Sequence, residues 1–438
     1  MIFRSTFPDV EIPSGSFPEF FFESTRHLAG KPALIDGTSG RSLSFAGLEQ
    51  LSRRMAAGLA ARGFSKGDVL AVLSPNLPEF GAFIQGPALA GGAISPMNPL
   101  STTQELSHQL ADGGSRFLIT VPPLLEKAAA AAEGTAVKEI FVLGEAPGAT
   151  PLTDLLSAGE EPPAPAIDPA VDLVALPYSS GTTGLPKGVM VTHRNVTANL
   201  RQSEVVEPVA EDDVLLGVLP FFHIYGLTVI MMFSLYRGAT VVTLPRFDLE
   251  QFLATIQEYR ITRIHVVPPI LLALAKHPVV DRYDLSSLRM LVSAAAPLDA
   301  AVGRAVQERL GCLVKQGYGM TETGPVVAVN PDDPERIRLD TVGLIVPNTE
   351  ARIVDPATGR DLGPGERGEL VVRGPQMMRG YLNKPRATAR TLEPDGWLHT
   401  GDVAVIDEDG YLSIVDRLKE LIKYKAFQVA PAELEGIL

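Results

Sequence analysis

Apolar residues along the chain alternate between helical spacing and short unbroken runs. Residues 46–62 carry apolar side chains at helical spacing, and Gly63 ends that pattern. Residues 68–75 then form a short apolar run without helical periodicity. This order predicts a helix followed by a buried strand.

The same order returns further along the chain. Residues 248–259 open on Asp248, with Gln251 three positions later as in a capping box, and lead into the apolar run 261–269. The following segments are predicted as a strand, a helix closed by Gly311 and another strand: residues 288–294, 298–310 and 312–318. Such alternation is typical of α/β proteins, in which helices cover parallel sheets and ligands bind near the carboxyl ends of the strands.

From about residue 340 the pattern changes to short apolar runs separated by polar turns. Residues 350–356, 368–374 and 402–416 are read as strands, the last as a hairpin around Asp409-Gly410. A small β-rich subdomain is therefore predicted. The proline-rich residues 145–170 are predicted to form a surface connection between two α/β units.

Composition narrows the functional classes. The 438 residues include 38 Lys plus Arg and 51 Asp plus Glu, a formal net charge of −13 without a basic block. Nucleic acids and anionic membranes are therefore not expected partners. The single cysteine, Cys312, excludes an internal disulfide and fits a reducing compartment, so a cytoplasmic location is expected. We read no signal peptide at the N-terminus.

One segment is apolar enough to be tested as a membrane span. No Asp, Glu, Lys or Arg occurs between Asp213 and Arg237. However, Pro220, His223 and Gly226 interrupt its middle. A buried strand, a loop and a buried helix are predicted instead.

The stretch "YSSGTTGLPKG" at residues 178–188 is a loop of hydroxyls and glycines with one lysine. A Walker-type loop needs a helix that starts at its lysine, but here Pro186 precedes Lys187 and the strand-like "VMVTH" follows. The remaining interpretation is a hairpin-like loop between two strands. Its hydroxyls, glycine amides and ammonium group can wrap a triphosphate.

Four motifs in this order resemble the signatures of the adenylate-forming superfamily: "YSSGTTGLPKGVMVTHRN", "QGYGMTETGP", "GWLHTGD" and "IVDRLKELIKYKAFQVAPAELE". The resemblance covers essentially the whole chain. The last motif is most similar to 4-coumarate/cinnamate-CoA ligases. The resemblance implies that a carboxylate attacks the α-phosphate of ATP, and that the thiol of coenzyme A then displaces AMP.

The predicted fold is α/β, with a large N-terminal domain of two helix-covered, parallel-rich sheets and a small β-rich, barrel-like subdomain. The predicted boundaries are 1–168 and 169–335 for the two α/β subdomains, 336–416 for the β-rich subdomain and 417–438 for a hinge and the start of a C-terminal domain. The resemblance implies a mobile C-terminal domain that is largely absent here. With its late lysine missing, slow adenylate formation and poor thioester formation are expected.

The resemblance implies roles for residues around ATP and Mg²⁺. Lys187 would meet the leaving pyrophosphate, Thr321 the α-phosphate, and Glu322 would hold Mg²⁺. The ribose would meet Asp402, assisted by Arg417. The phosphate loop and the adenine bracket are assigned to Ser179, Ser180, Gly181, Thr182 and Thr183, and to Ala295, Ala296, Pro297, Gln316, Gly317, Tyr318 and Gly319.

The resemblance implies that a second set of residues contacts coenzyme A. Lys423 is predicted to act in thioester formation, with Gln428 on the same face and Lys419 at the hinge. Arg246 and Lys425 would supply cations for the phosphates of coenzyme A. Ala426 replaces a glycine common in relatives, so its methyl group is expected to narrow the pantetheine passage.

The acyl pocket is assigned to His223, Tyr225, Val292, Ala294, Ala295, Gly319, Pro325 and Val326. His223 is predicted to border this pocket and gate access, whereas His265, His193 and His277 are left as structural. Val292 stands where plant coumarate ligases tend to carry a lysine, and Ala294 replaces a glycine. An aryl acid of cinnamate size is predicted, with unsubstituted or singly hydroxylated rings preferred and a buried phenol poorly paired.

Alternatives remain open. The chain could be a medium- or long-chain acyl-CoA synthetase, an adenylating enzyme that loads a carrier protein or oxidises the acyl group, or a non-catalytic binder. The predicted partners are an aryl acid, ATP and coenzyme A, with no nucleic acid or membrane, for a monomer or homodimer.

Overall fold

The computed structural model describes residues 1–159, 161–179 and 186–418, together with the backbone of the strands Ile422–Tyr424 and Phe427–Val429. The helices alternate with strands through most of this length, as the apolar pattern predicts. The α-helices are Phe17–Thr25, Phe45–Ala61, Phe80–Leu89, Thr103–Asp112, Leu125–Ala132, Leu152–Leu155, His193–Val206, Ser234–Tyr236, Leu249–Tyr259, Pro268–Lys276, Ala300–Leu310 and Pro385–Thr391.

Local signals fix several of the helix ends. The helix Leu249–Tyr259 begins after Asp248, whose side chain accepts a hydrogen bond from the backbone N–H of Gln251. The helix Ala300–Leu310 ends at Gly311, which has a φ of 67°. A glycine adopts this left-handed conformation without the strain that a Cβ introduces. Both predicted helices are therefore confirmed, with shifts of two residues or fewer at their starts.

The first sheet has nine strands and is mainly parallel. Its antiparallel end carries the hairpin Tyr178–Ser179 and Lys187–Thr192, which confirms the two strands predicted on either side of the hydroxyl-rich loop. The short strand Gly380–Tyr381 pairs with the second of these. The other strands, in sheet order, are Leu173–Ala175, Ala93–Met97, Val69–Leu73, Phe117–Thr120, Glu139–Val142 and Thr150–Pro151.

The second sheet has fourteen strands and changes from parallel to antiparallel along its width. Its parallel part is Pro32–Asp36, Thr240–Thr243, Val214–Gly217, Arg263–Val266, Met290–Ser293 and Leu313–Gly319, with Ser42–Ser44 at the edge. Its antiparallel part continues through Val326–Val329, Gly343–Ile345, Tyr411–Arg417, Leu398–Ile406, Gly368–Arg373, Glu350–Val354 and Phe3–Arg4. The β-rich region is thus hydrogen-bonded edge to edge with the parallel strands.

The two sheets do not follow the chain in simple order. Pro32–Asp36 pairs with Thr240–Thr243, and Phe3–Arg4 pairs with Glu350–Val354. The N-terminal residues therefore contribute strands to the sheet that carries the later segments.

The segment without charged residues contains the buried strand Val214–Gly217 and a buried helix that runs from Tyr225 through Phe233 as a π-helix and continues to Tyr236. Gly226 allows a close approach, because a Cβ at this position would lie 2.1 Å from the carbonyl oxygen of Pro220. The predicted strand, loop and helix are confirmed. Within the described residues, no helix is long and apolar enough to cross a membrane.

The proline-rich segment 145–170 is only partly the surface connection that its composition predicts. Leu152 and Leu155, in the short helix Leu152–Leu155, are buried. The carbonyl oxygen of Leu155 would lie 1.9 Å from a Cβ built on Gly58, so this turn packs directly on the helix Phe45–Ala61.

Candidate active site

Lys187 lies at the start of the strand that follows the hydroxyl-rich loop. Ser179 and Lys187 are direct partners across the hairpin. The Lys187 Nζ atom stands 4.1 Å from the centroid of the Tyr381 ring, within cation–π distance. Tyr381 comes from the short strand that pairs with the same hairpin, so the pairing positions this ring beside the lysine. Ser180, Gly181, Thr182 and Thr183 lie outside the described residues.

Glu322 is buried in the short helical turn Thr321–Thr323, next to buried Thr321. The Tyr381 hydroxyl donates a hydrogen bond of 2.8 Å to Glu322 Oε1. Burial, followed by the negative charge of Glu322, raises the pKa of Tyr381, so this hydroxyl keeps its proton. Lys187, Tyr381 and Glu322 thus meet although they come from three separate segments.

The chemistry of Glu322 fits a magnesium ligand. Among the described residues, no Lys, Arg or His forms an ion pair with this carboxylate. Mg²⁺ prefers oxygen ligands and is commonly held by one or two carboxylates together with waters and phosphates. The described residues contain no group of three or more acidic, His or Cys side chains around a common point.

Asp402 is the second buried carboxylate that the sequence singled out. It lies opposite Arg417 in the hairpin Leu398–Ile406 and Tyr411–Arg417, and Arg417 Nε is 3.4 Å from Asp402 Oδ1. The Tyr318 hydroxyl donates a hydrogen bond of 2.5 Å to Asp402 Oδ2. Burial and then the charge of Asp402 raise the pKa of Tyr318. This bond joins the parallel strand Leu313–Gly319 to the antiparallel hairpin.

The two segments assigned to adenine leave the carboxyl ends of neighbouring parallel strands. Ser293 and Gln316 are register partners in these strands. Beyond Ser293, the residues Ala295, Ala296 and Pro297 are exposed, and Ala295 has a left-handed φ of 71°. The Gln316 side chain is buried and donates a hydrogen bond of 2.6 Å to the Leu339 carbonyl oxygen, so this side chain stabilises the fold.

A pocket with a cavity volume of about 60 Å³ lies beside these segments. The residues predicted for the acyl site all contribute to its lining: His223, Tyr225, Val292, Ala294, Ala295, Gly319, Pro325 and Val326. Exposed atoms of His223, Ala295 and Gly319 mark its opening. Desolvation by the surrounding protein lowers the pKa of His223, whose Nδ1 accepts a hydrogen bond of 3.2 Å from the Tyr225 N–H.

The inner wall of this pocket contains polar residues that the sequence analysis missed or treated as structural. The Tyr225 hydroxyl lies 2.9 Å from His265 Nδ1, and His265 Nε2 lies 3.1 Å from Glu207 Oε1. Arg263 NH2 lies 3.2 Å from the same Glu207 oxygen. Arg263 and His265 in a predicted buried strand were the available signal, because charged residues are rarely buried without a partner.

The residues assigned to coenzyme A are less fully described. Arg246 is exposed in the loop after the strand Thr240–Thr243, and no described polar contact links it to the pocket. Lys423 and Gln428 are backbone partners in the hairpin Ile422–Tyr424 and Phe427–Val429. Lys419, Lys425 and Ala426 lie outside the described residues.

Comparison with known proteins agrees with this geometry. The family of AMP-binding enzymes matches residues 21–382. The 4-coumarate–CoA ligase 1 of Solanum tuberosum is 45% identical over 450 residues, which cover all of this chain and 82% of the relative. The chain therefore spans about four fifths of that ligase.

Two solved structures extend the comparison. An ATP-bound MatB from Rhodopseudomonas palustris is 32% identical, with a TM-score of 0.86 over 96% of this chain and 82% of that one. An anthranilate CoA ligase in complex with anthranoyl-AMP is 27% identical, with a TM-score of 0.88 over 97% of this chain and 82% of that one. The chain belongs to the AMP-binding enzymes of the adenylate-forming superfamily, and within them to the AMP-forming acyl-CoA synthetases.

Proposed function

We propose that this chain joins a cinnamate-sized aryl acid to coenzyme A at the expense of ATP. The observation that carries the proposal is the pocket lined by the residues predicted for the acyl site, whose opening lies at Gly319, three residues before Glu322. An acid seated in this pocket would present its carboxylate towards the segment that bears Thr321 and Glu322. The 4-coumarate–CoA ligase and the anthranilate CoA ligase among its relatives support an aromatic substrate.

In the first step, a carboxylate oxygen of the acid attacks the α-phosphorus of ATP, and the bond to the β-phosphate bridging oxygen breaks to release pyrophosphate. Lys187 would offset the negative charge that moves onto the leaving group. Glu322 would hold Mg²⁺, which supplies further positive charge beside the phosphates when it is bound. Asp402, in reach of Arg417, would accept hydrogen bonds from the ribose hydroxyls.

In the second step, the thiol sulfur of coenzyme A loses its proton to solvent and attacks the acyl carbon, and the bond from that carbon to the phosphate oxygen breaks, so that AMP leaves with the electron pair of this bond. We assign Lys423 and Gln428 to this step, and Arg246 and Lys425 to the phosphates of coenzyme A. A carrier-protein thiol would need the same acyl adenylate but not these cations. The cations therefore favour coenzyme A as the acceptor.

The shape and chemistry of the pocket favour an aryl acid over a long fatty acid. Val292, Val326 and Val329 give it apolar sides that suit a flat ring. Glu207 and His265 line its inner wall and are 4% and 1% exposed. A long alkyl chain that reached this wall would leave these polar groups without water or partners, which is unfavourable.

A panel of acids tests the proposal. Cinnamate, 4-hydroxycinnamate, 3,4-dimethoxycinnamate, octanoate and palmitate would each be incubated with ATP and Mg²⁺, and pyrophosphate release and coenzyme A thiol loss recorded. We expect release to be fastest with the unsubstituted and singly hydroxylated rings. Faster release with palmitate or with the dimethoxylated ring would refute the substrate assignment. Glu322→Gln is the control for site-dependent release.

We also propose a cellular location and an oligomeric state. A reducing compartment such as the cytoplasm is proposed, because a chain with one cysteine forms no internal disulfide. Cys312 is free and buried, and burial raises the pKa of its thiol to about 11. A monomer or homodimer and the domain boundaries at residues 168, 335 and 416 stay predictions.

A further inference from the structure

His399 lies between two carboxylates in the β-rich region, three residues before Asp402. Its Nδ1 atom is 3.1 Å from Glu369 Oε2, and its Nε2 atom is 2.7 Å from Glu393 Oε1. Because a carboxylate only accepts hydrogen bonds, both ring nitrogens donate at once only when both carry a proton. The arrangement therefore favours the imidazolium form of His399.

The charged groups around His399 support the same form. Glu369 comes from the strand that pairs with the one carrying His399, and Glu393 comes from the loop before it. The strand on the other side contributes Arg417, whose Nε is 3.4 Å from Asp402 Oδ1. Burial acts to lower the pKa of His399, but the hydrogen bonds to Glu369 and Glu393 and their negative charges outweigh it, so the pKa is raised above its ordinary value of 6.5.

Asp402 lies in a β-bulge between the strands Gly368–Arg373 and Leu398–Ile406. Residues 400–402 of the second strand stand opposite the single residue Leu370 of the first. A bulge interrupts the ladder of backbone hydrogen bonds and changes the direction in which its side chains point. The position of Asp402 therefore depends on which groups bind the backbone of the bulge.

Glu369 binds the bulge directly. The Gly401 N–H donates a hydrogen bond of 3.2 Å to Glu369 Oε1, and Gly401 immediately precedes Asp402. The Gly401 carbonyl oxygen accepts a hydrogen bond of 2.9 Å from the Leu418 N–H. One carboxylate thus contacts His399 with one oxygen and the backbone of the bulge with the other.

We infer that His399 is a positioning residue, which acts through Glu369 to hold Asp402 where it can accept hydrogen bonds from the ribose hydroxyls of ATP. The inference deepens the proposed function and rests on its assignment of Asp402 to the ribose. While both nitrogens of His399 carry protons, Glu369 is held in place and binds the Gly401 amide. When His399 loses a proton, one carboxylate faces a nitrogen lone pair and this hold is weakened. Recognition of the ribose should therefore weaken as the pH rises.

The test compares ATP with 2′,3′-dideoxy-ATP, which lacks both ribose hydroxyls. The dissociation constants of both nucleotides for the 438-residue chain are measured by calorimetry with Mg²⁺ from about pH 6 to about pH 9. Because both nucleotides carry the same triphosphate, the ratio of their constants cancels the titration of the phosphates. We expect ATP to bind about 30-fold more tightly than the dideoxy compound at the acidic end, as hydrogen bonds to a charged acceptor would give, and about threefold more tightly at the basic end.

Three variants examine the role of the charge on His399. His399→Arg keeps a cation between the two carboxylates, so the ratio should stay near its acidic value at every pH. His399→Gln is neutral throughout, so the ratio should stay near its basic value. Glu393→Gln removes one of the charges that stabilise the imidazolium, so the midpoint of the transition should move to lower pH by about one unit. A role in stability alone would move neither the ratio nor its midpoint.

His27→Gln is the matched control. His27 is exposed in the helical turn Arg26–Leu28, and its Nε2 lies 2.9 Å from Glu211 Oε1. This variant loses a similar contact between a histidine and a glutamate outside the β-rich region. Its ratio and its midpoint should equal those of the wild type.

The outcomes separate this inference from the proposed function. A ratio that does not change with pH in the wild type, or that changes equally in His399→Gln, overturns the inference; cinnamate-dependent release of pyrophosphate by the same protein then leaves the proposed function intact. Failure to bind ATP and to release pyrophosphate with cinnamate at every pH overturns both. If His399→Gln fails to fold by circular dichroism, Glu393→Gln decides the matter, and an unchanged midpoint refutes the role of His399.

Discussion

Replacing Tyr381 by phenylalanine isolates one interaction at the centre of the proposed adenylation site. The Tyr381 hydroxyl donates to Glu322 Oε1 at 2.8 Å, and the Tyr381 ring lies 4.1 Å from Lys187 Nζ. Tyr381→Phe keeps the ring and therefore the cation–π contact. It removes the hydrogen bond that fixes the Glu322 carboxylate, together with a hydrogen bond between the Tyr381 hydroxyl and Thr391.

The size of the effect follows from the charge of the acceptor. A hydrogen bond to an ionised group contributes about 1.5–3 kcal/mol, more than one between neutral groups. Glu322 is only 6% exposed, so water replaces the lost donor poorly. If Glu322 holds Mg²⁺ in the transition state, the lost orientation should slow adenylation roughly 10- to 100-fold.

The assay is pyrophosphate exchange into ATP at saturating acid, with ATP affinity measured by calorimetry. Tyr411→Phe is the matched control. The Tyr411 hydroxyl donates to the Arg336 carbonyl oxygen at 2.7 Å, and the Arg338 guanidinium lies 3.9 Å from its ring centroid. This control loses a similar hydrogen bond beside a similar cation, in a part of the β-rich region outside the pocket and the Glu322 contacts.

We expect the exchange rate to fall in Tyr381→Phe and to stay near the wild-type rate in Tyr411→Phe. An unchanged rate in Tyr381→Phe would mean that the orientation of Glu322 does not matter for adenylation. Equal losses in both variants, with equal losses of unfolding free energy in urea, would show that stability alone explains the effect. Either result would refute the reasoning.

Three further predictions follow from other residues of the site and its surroundings. Lys187→Ala should raise the adenylation barrier by about 3 kcal/mol, because one cation is lost from the leaving phosphates, and pyrophosphate exchange at the wild-type rate would contradict this. Ala294→Gly should improve kcat/KM several-fold for doubly substituted rings relative to cinnamate, because it removes a methyl group from the pocket lining; an unchanged ratio would contradict it. Burial lowers the pKa of His193 to about 4, so the native state binds fewer protons than the unfolded chain between that pH and about 6.5, and the unfolding free energy should fall by about 3 kcal/mol as the pH is lowered through this range. Urea unfolding of His193→Gln should show a flatter pH dependence, and identical slopes would argue against His193 as the cause.

The features that the sequence predicted well are those with local causes. Asp248 caps its helix because its side chain reaches a backbone N–H three residues away, and Gly311 ends a helix because it alone avoids Cβ strain at a φ of 67°. The strands flanking the loop before Lys187 follow from apolar runs on either side of glycines and hydroxyls. The signature motifs, read by resemblance, indicated the family, and the residues assigned to the acyl site line one pocket.

Part of the candidate site could not be predicted because its residues are far apart in the chain. Tyr381 stands 194 residues after Lys187 and 59 residues after Glu322, and no periodicity or spacing links them. Their contact exists because the short strand Gly380–Tyr381 pairs with the edge strand that carries Lys187. The sequence identified two members of this group and gave no reason to examine the third.

The contacts among Tyr225, His265 and Glu207 also separate what the sequence predicts from what only the tertiary structure shows. Sequence periodicity determined that His265 lies in a buried strand, and a buried histidine alone is equally consistent with a structural role. Only the tertiary structure decided its neighbours, because the strand Arg263–Val266 and the π-helix at Tyr225 bring side chains from distant segments together at one wall. Local propensities determine the helices and strands, whereas the packing of those elements determines which buried polar groups share a pocket.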